Sequence, residues 1–261
     1  VDLFGNPRTA VLTWVSGARF KLGPNVRGWG LLYHARTRPD RPGARPAWEA
    51  YFDALRLLGV RRPAGVPRWR VDDEDTAWVR RELRSRRLTP GACLGLFPGA
   101  SHPAKRWSLD RFLEIGREAP RRFGLKAVFV FGPKEEDLVR AYERAAGKRS
   151  HAFCDLTPGR LAALWAACRL VISNDAFPMH LGPAVGTPTI GLFGPGEPAV
   201  WFPYSPGAGH RVLHVAPACW PCRRDVCDDN ICWRELTSER VLAEAAGVLS
   251  LRGRGRGRGR A

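Results

Sequence analysis

The chain has 261 residues, 44% of them hydrophobic and 26% charged, with a formal net charge of +17. That length and composition place it among globular proteins of one large or two ordinary domains. No apolar run approaches the roughly 20 residues that span a bilayer, and Val1-Asp2-Leu3-Phe4-Gly5 lacks the basic-then-apolar order of a secretory signal. Met179 is the only methionine, so the chain reads as a fragment, a processed product or an incomplete reading frame. Five arginines sit between Arg252 and Arg260, which leaves 17 − 5 = +12 on the body. Two explanations stay open: a composition bias, or attraction to an anionic partner such as a phosphorylated glycolipid, a membrane surface or nucleic acid.

Val1 to Phe4 reads as a strand end, and Val11 to Val15 as a strand or part of a helix. Arg36 to Pro46, rich in Arg and Pro, reads as a loop. The spacing predicts a helix over Trp48 to Leu58, with Tyr51, Leu55 and Leu58 on one face and Gly59 as its stop. Asp72 to Asp75 predict the start of another, carrying Trp78, Val79 and Leu83. From about Thr89 the pattern sharpens into β/α alternation. Cys93 to Phe97 is a strand, and Ser108 caps a helix carrying Leu109, Phe112, Leu113 and Gly116, closed by Gly124. Ala127 to Phe131 is the next strand, followed by a helix through Leu138, Val139 and Tyr142 that ends at Gly147. Thr157 caps a helix opened by Pro158. Leu170 to Ile172 and Thr189 to Phe193 are strands, and a last helix follows Thr237-Ser238. Helices of this length between strands imply a parallel sheet covered on both faces. The alternating Arg and Gly of residues 251–261 read as a disordered tail.

The segment Leu170 to Pro198 carries the functional signal. A buried strand empties into the polar turn Ser173-Asn174-Asp175, and a Pro-Met-His step leads to a second strand. Open α/β sheets place ligands at such carboxyl ends, where helix N-termini point bare N–H groups at phosphate.

Three segments resemble glycosyltransferase family nine, the ADP-heptose:lipopolysaccharide heptosyltransferases. They are Pro98-Gly99-Ala100-Ser101 with Lys105-Arg106-Trp107; Phe131-Gly132-Pro133 with Glu135-Glu136; and Ser173-Asn174-Asp175 through His180 to Ala184-Val185-Gly186-Thr187-Pro188 and Leu192-Phe193-Gly194-Pro195. The resemblance covers about Cys93 to Leu249. It implies an α/β protein of two Rossmann-like lobes, with residues 1–88 a partial acceptor-side lobe and residues 89–250 a complete nucleotide-sugar lobe. It implies inverting, metal-independent transfer of a heptose-type sugar from an ADP-sugar to a lipopolysaccharide core or related glycan, at the cytoplasmic face of the inner membrane. Lys105 would stabilise the charge that grows on the departing diphosphate. Ser101 would donate to the same phosphate or serve the turn. Asp175 would contact the donor or cap the next helix. His180 would meet phosphate or hold its loop. Glu135, with Glu136 as rival, would accept from ribose hydroxyls.

Two departures stand out. Ala176-Phe177 replaces the family's usual Ser/Thr-Gly, which weakens donor binding or reshapes the pocket. The family's catalytic aspartate has no counterpart, and Asp2 belongs to a later strand, so a general base is absent. The chain is therefore expected to bind donor better than it turns over, and a catalytically inactive donor-binding remnant stands as the alternative.

Cys93, Cys154 and Cys168 fall in predicted core elements and read as small apolar fillers. Cys219, Cys222, Cys227 and Cys232 crowd together and suggest a structural zinc or iron–sulfur cluster, with free or redox-active thiols and disulfides as alternatives. A nucleic-acid reading, using this cluster and the Arg-Gly tail, ranks last because no recognition helix accompanies the cysteines.

Overall fold

The computed structural model describes residues 1–26, 28–38, 45–61, 67–146, 151–222 and 224–255, with 252–255 by backbone alone. The chain divides into two compact units, Val1–Gly65 with Ala199–Pro203, and Val66–Pro198 with Tyr204–Ala261.

The first unit opens with the Asp2 N–H donating to the Leu22 carbonyl at 2.8 Å, as at a strand end, and then turns. The buried Asp2 carboxylate accepts the backbone N–H groups of Phe4 and Gly5 at 2.9 and 3.1 Å and the Tyr33 hydroxyl at 2.6 Å. An aspartate that bonds its own following amides bends the chain away from a ladder. Residues 11–15 belong to helix α1 (Pro7–Val15), whose N-cap Asn6 accepts from the Thr9 amide at 3.0 Å. Strands β1 (Leu22–Pro24) and β2 (Ala35–Thr37) pair in parallel, with Leu22 opposite Ala35. The start of the expected 36–46 loop is thus a strand, and its residues 39–44 lie outside the described ones. Helix α2 (Ala47–Arg56) follows, and Gly59 at φ 75° closes its end.

The second unit begins with α3 (Asp73–Ser85), which the sequence reading assigns to the N-terminal lobe. Its buried Val79 and Leu83 join the apolar cluster of Leu161, Leu164 and Trp165, so it packs with the second sheet. Then come β3 (Cys93–Phe97), α4 (Leu109–Phe123), β4 (Lys126–Phe131), α5 (Glu136–Ala146), β5 (Ala152–Cys154), α6 (Pro158–Ala167), β6 (Leu170–Asn174), α7 (Phe177–Ala184) and β7 (Thr189–Phe193). The short α8 (Pro198–Trp201) precedes β8 (Arg211–His214), α9 (Ile231–Arg234) and α10 (Ser238–Gly255). Gly124 ends α4 at φ 65°, and Thr157 accepts the Arg160 amide at 3.2 Å at the start of α6; Ser108 takes the N-cap position of α4 but its side chain makes no capping bond. The expected stop of α5 at Gly147 lies outside the described residues.

The six strands of the second unit are all parallel, in the order β5-β4-β3-β6-β7-β8. This is the doubly wound arrangement, in which the chain starts mid-sheet, winds to one edge and returns to wind to the other. One face carries the core of α4, α5 and α10, built around Trp107, Phe112 and Phe131. The other carries α3, α6 and α7, around Trp165 and Leu181. Both faces are covered, as the alternation requires. Cys93 and Cys168 are buried in the second of these cores, but Cys154 is exposed, because it ends an edge strand that only β4 flanks. The disordered reading of 251–261 is corrected over 251–255, where α10 simply continues; extending a formed helix costs far less than starting one. Residues 256–261 lie outside the described ones.

Candidate donor site

In a doubly wound sheet the winding reverses between the first and fourth strands of the unit, here β3 and β6, and their carboxyl-end loops part to leave a crevice. Asn174, the last residue of β6, is fully buried and ties the two loops together. Its Nδ2 donates to the Pro98 carbonyl at 2.7 Å, and its Oδ1 accepts the Trp107 amide at 3.4 Å. The backbone between these anchors makes one tight helical turn, Pro103–Lys105. That turn brings Lys105 Nζ to 2.7 Å from Asp175 Oδ2.

Asp175 is therefore not the helix cap. The N-cap of α7 is Ala176, with no side-chain bond, and the Asp175 carboxylate points instead to Lys105. Gly196 permits this: a Cβ there would sit 2.7 Å from Asp175 Oδ2. His180, one turn into α7, feels both charges, and its Nδ1 lies 2.9 Å from the Tyr204 hydroxyl. Burial holds the His180 pKa below the ordinary histidine value, against the pull of Asp175 and with the push of Lys105, so the ring is neutral at neutral pH. Burial also pushes the Tyr204 hydroxyl up to about 12.

Next to this cluster in the chain, Arg106 and Ala176 line a cleft of about 650 Å³, within the range of small-ligand sites; Lys105, Asp175 and His180 do not line it. Ser101, Glu135, Ala176 and Phe177 line it. Glu136, the first residue of α5, is exposed and lies outside the lining. Glu135 is buried, and one carboxylate oxygen accepts the Gly132 amide at 2.7 Å. Burial raises its pKa; the Gly132 amide and Arg106 oppose the rise. Phe177 stands half exposed at the rim, so its bulk meets the cleft mouth and not the core.

Arg106 also lines the cleft, a position the sequence reading left without a role. Its Nε donates to the Ala100 carbonyl at 3.1 Å, and its terminal nitrogen reaches Asp137 at 3.1 Å. Its place directly after Lys105 was the available signal.

The cysteine-bearing segment braces the same turn. Trp233 Nε1 donates to the Ala104 carbonyl at 2.6 Å, the Ala104 amide donates to the Asp225 carbonyl at 3.0 Å, and Trp220 Nε1 donates to the Gly196 carbonyl at 3.0 Å. Cys219, Cys222, Cys227 and Cys232 are free thiols, and Cys219 is exposed. Cys222 and Cys227 are near enough to raise the Cys232 pKa, after burial. Among the described residues no three His, Cys, Asp or Glu side chains are gathered as a metal site. Indole hydrogen bonds hold this segment. The helix that carries the last of the four thiols, α9, has four residues, too short to read a nucleic-acid groove.

The sequence profile of Glycosyltransferase family 9 (heptosyltransferase) matches residues 1–230. The chain belongs to this family. Lipooligosaccharide heptosyltransferase 2 of Campylobacter jejuni is 28% identical over 163 residues, 60% of this chain and 50% of that protein. Lipopolysaccharide heptosyltransferase 2 of Salmonella typhimurium is 27% identical over 252 residues, 88% of this chain and 70% of that one. The chain thus spans about half the length of the Campylobacter relative. The solved family 9 glycosyl transferase of Veillonella parvula superposes with a TM-score of 0.76 at 25% identity, over 95% of this chain and 72% of that one. The E. coli ADP-heptose lps heptosyltransferase II shares the fold, with a TM-score of 0.74 at 20% identity, over 95% and 75% of the two chains.

Proposed function

We propose that the second unit binds an ADP-sugar of the heptose type, and that the protein it represents transfers the sugar, with inversion, to a lipopolysaccharide core or related glycan. The observation that supports this is Lys105, held by Asp175 at 2.7 Å where β3 and β6 part, next in the chain to residues that line a cleft of ligand size. The names of the relatives supply the sugar.

The chemistry follows from charge. As the glycosidic bond breaks, negative charge grows on the diphosphate, and a fixed cation stabilises that stage more than the ground state. An ammonium has three donors. One goes to Asp175, which sets its direction, and two remain for phosphate oxygens. Backbone N–H groups at the start of α7 add the positive end of a helix dipole. Ser101 supplies a hydroxyl on the opposite loop. Glu135, buried at the end of β4, is placed to accept from ribose hydroxyls. Neutral His180 positions the α7 end through Tyr204. None of these residues is a base aimed at an acceptor hydroxyl, so acceptor activation belongs to residues outside this constellation. The acceptor being a membrane glycolipid, the protein would work peripherally at the cytoplasmic face; among the described residues no helix is long and apolar enough to cross a bilayer.

Calorimetry with ADP-heptose and ADP tests the reading. Wild type binds both, and Lys105→Ala loses roughly 10- to 100-fold in affinity, the worth of a charged hydrogen bond. Equal binding by the two proteins overturns it.

A further inference from the structure

A second cleft, of about 760 Å³, lies at the other end of the same sheet. The donor-site residues follow the carboxyl ends of β3, β4 and β6. This cleft is lined by Lys126, the first residue of β4, and by His151, just before β5. Arg86 and Arg87 enter from the end of α3, and Arg117 from α4. Among the described residues no Asp or Glu lines it.

The lining side chains carry four fixed positive charges, Arg86, Arg87, Arg117 and Lys126. Glu82 pairs with Arg86 alone, which leaves three. The carboxyl ends of α3 and α5 are close by, each worth about half a negative charge; the balance stays near two positive charges. The cations are also held in place. Lys126 Nζ donates to the Arg87 carbonyl at 2.9 Å, Arg117 Nε donates to the Leu113 carbonyl at 3.3 Å, and the Arg86 guanidinium sits 4.3 Å from the Phe153 ring centre. Arg87 occupies the position after α3 at φ 54°, where glycine is the usual residue. The crowding is felt by His151: burial, Lys126 and Arg86 together lower its pKa.

The floor is apolar. Gly116 of α4 packs against the buried Phe129 ring, and the buried Tyr142 of α5 packs against that ring with centroids 4.6 Å apart. Fixed cations at the rim of a cleft match one ligand chemistry: phosphate oxygens on guanidinium and ammonium donors.

We infer that this cleft is a second binding site, distinct from the donor cleft, for a phosphate-bearing ligand whose phosphate sits among Arg86, Arg87, Lys126 and His151. It does not depend on the identity of the donor.

Histidine NMR separates the two sites, because His151 reports this cleft and His180 the other. The full chain has six histidines, and His151→Gln assigns the signal. Titration with inorganic pyrophosphate moves the His151 resonance saturably and raises its midpoint pH, since a bound anion favours the imidazolium. Lys105→Ala weakens the response of His180 about tenfold or more and leaves that of His151. Lys126→Glu weakens the His151 response about tenfold and leaves His180 responding. A parallel arm sediments the protein with vesicles of phosphatidylglycerol and phosphatidylcholine. Sedimentation lost in Lys126→Glu assigns the phosphate to a lipid headgroup; a pyrophosphate response with sedimentation independent of Lys126 assigns it to a soluble ligand. A His151 signal that ignores pyrophosphate and vesicles alike, or that falls silent in Lys105→Ala, overturns the proposal.

Discussion

Lys105 and Asp175 are 70 residues apart and meet at 2.7 Å where two adjacent parallel strands end. Asp175 is 7% exposed and the Lys105 side chain 28% exposed. A carboxylate that buried costs free energy once its cation is gone, so the pair is coupled. In a double-mutant cycle of Lys105→Met and Asp175→Asn, urea unfolding should give a coupling of about 1 kcal/mol, with the double variant more stable than the sum of the singles implies. Additive effects would mean that the two side chains do not share a field.

Asn174 joins the two loops with a donor on one and an acceptor on the other. Asn174→Ala leaves the Pro98 carbonyl and the Trp107 amide without that partner in a buried place. The expected loss is about 1–3 kcal/mol of stability. Donor affinity should fall as well, because the loop that carries Lys105 is no longer fixed. Asn174→Asp keeps the Trp107 bond and loses the Pro98 one, so its binding should be intermediate in calorimetry.

Trp233 acts at a distance from any ligand. Trp233→Phe keeps most of the packing over Gly194 and removes the bond to the Ala104 carbonyl. About 1 kcal/mol of stability should go, and ADP should bind more weakly. The test of a positioning role is that Lys105→Ala and Trp233→Phe together cost no more affinity than Lys105→Ala alone.

Glu135 gives the site a pH signature. Its pKa is raised in the folded state, chiefly by burial, so folded protein holds that proton more tightly than unfolded protein. The stability this contributes is complete below the ordinary carboxylate range and disappears as pH rises through the raised value. At about pH 7.5 wild type carries a buried charge that Glu135→Gln does not, while Gln still accepts the Gly132 amide. The variant should therefore melt higher than wild type at that pH, and the gap should close toward about pH 4. A gap that is constant with pH removes Glu135 from the account. Gly99 belongs to the same argument, since a Cβ there would overlap the Glu135 carboxylate; Gly99→Ala should weaken nucleotide binding by displacing it.

Strands β3, β4, β6 and β7 and helices α3, α4, α6 and α10 were legible because each carries an unbroken apolar period and a chemical cap. Strands β5 and β8 were not: they have three and four residues, lie at the sheet edges, and show half-exposed patterns no different from loop. Cys154 was misplaced for that reason. At the site, the residues were legible one by one and their partners were not. Lys105, Asp175 and His180 each announce polarity near a strand end, but only the strand order makes β3 and β6 neighbours. The fate of Asp175, cap or ion pair, was decided by Lys105, and that choice lies beyond any local window. In the cysteine segment the thiols are plain in the sequence, and the hydrogen bonds of Trp220 and Trp233 to the Gly196 and Ala104 carbonyls are not.

Strands β3 and β6 lie side by side although three helix crossovers, through α4, α5 and α6, separate them in sequence. That excursion departs from and returns to fixed points. Lengthening or trimming its outer bends leaves the distance between the Lys105 turn and Asp175 unaltered. Sequence change can therefore rework the wall around β4 and the start of α5 without moving the Lys105–Asp175 pair.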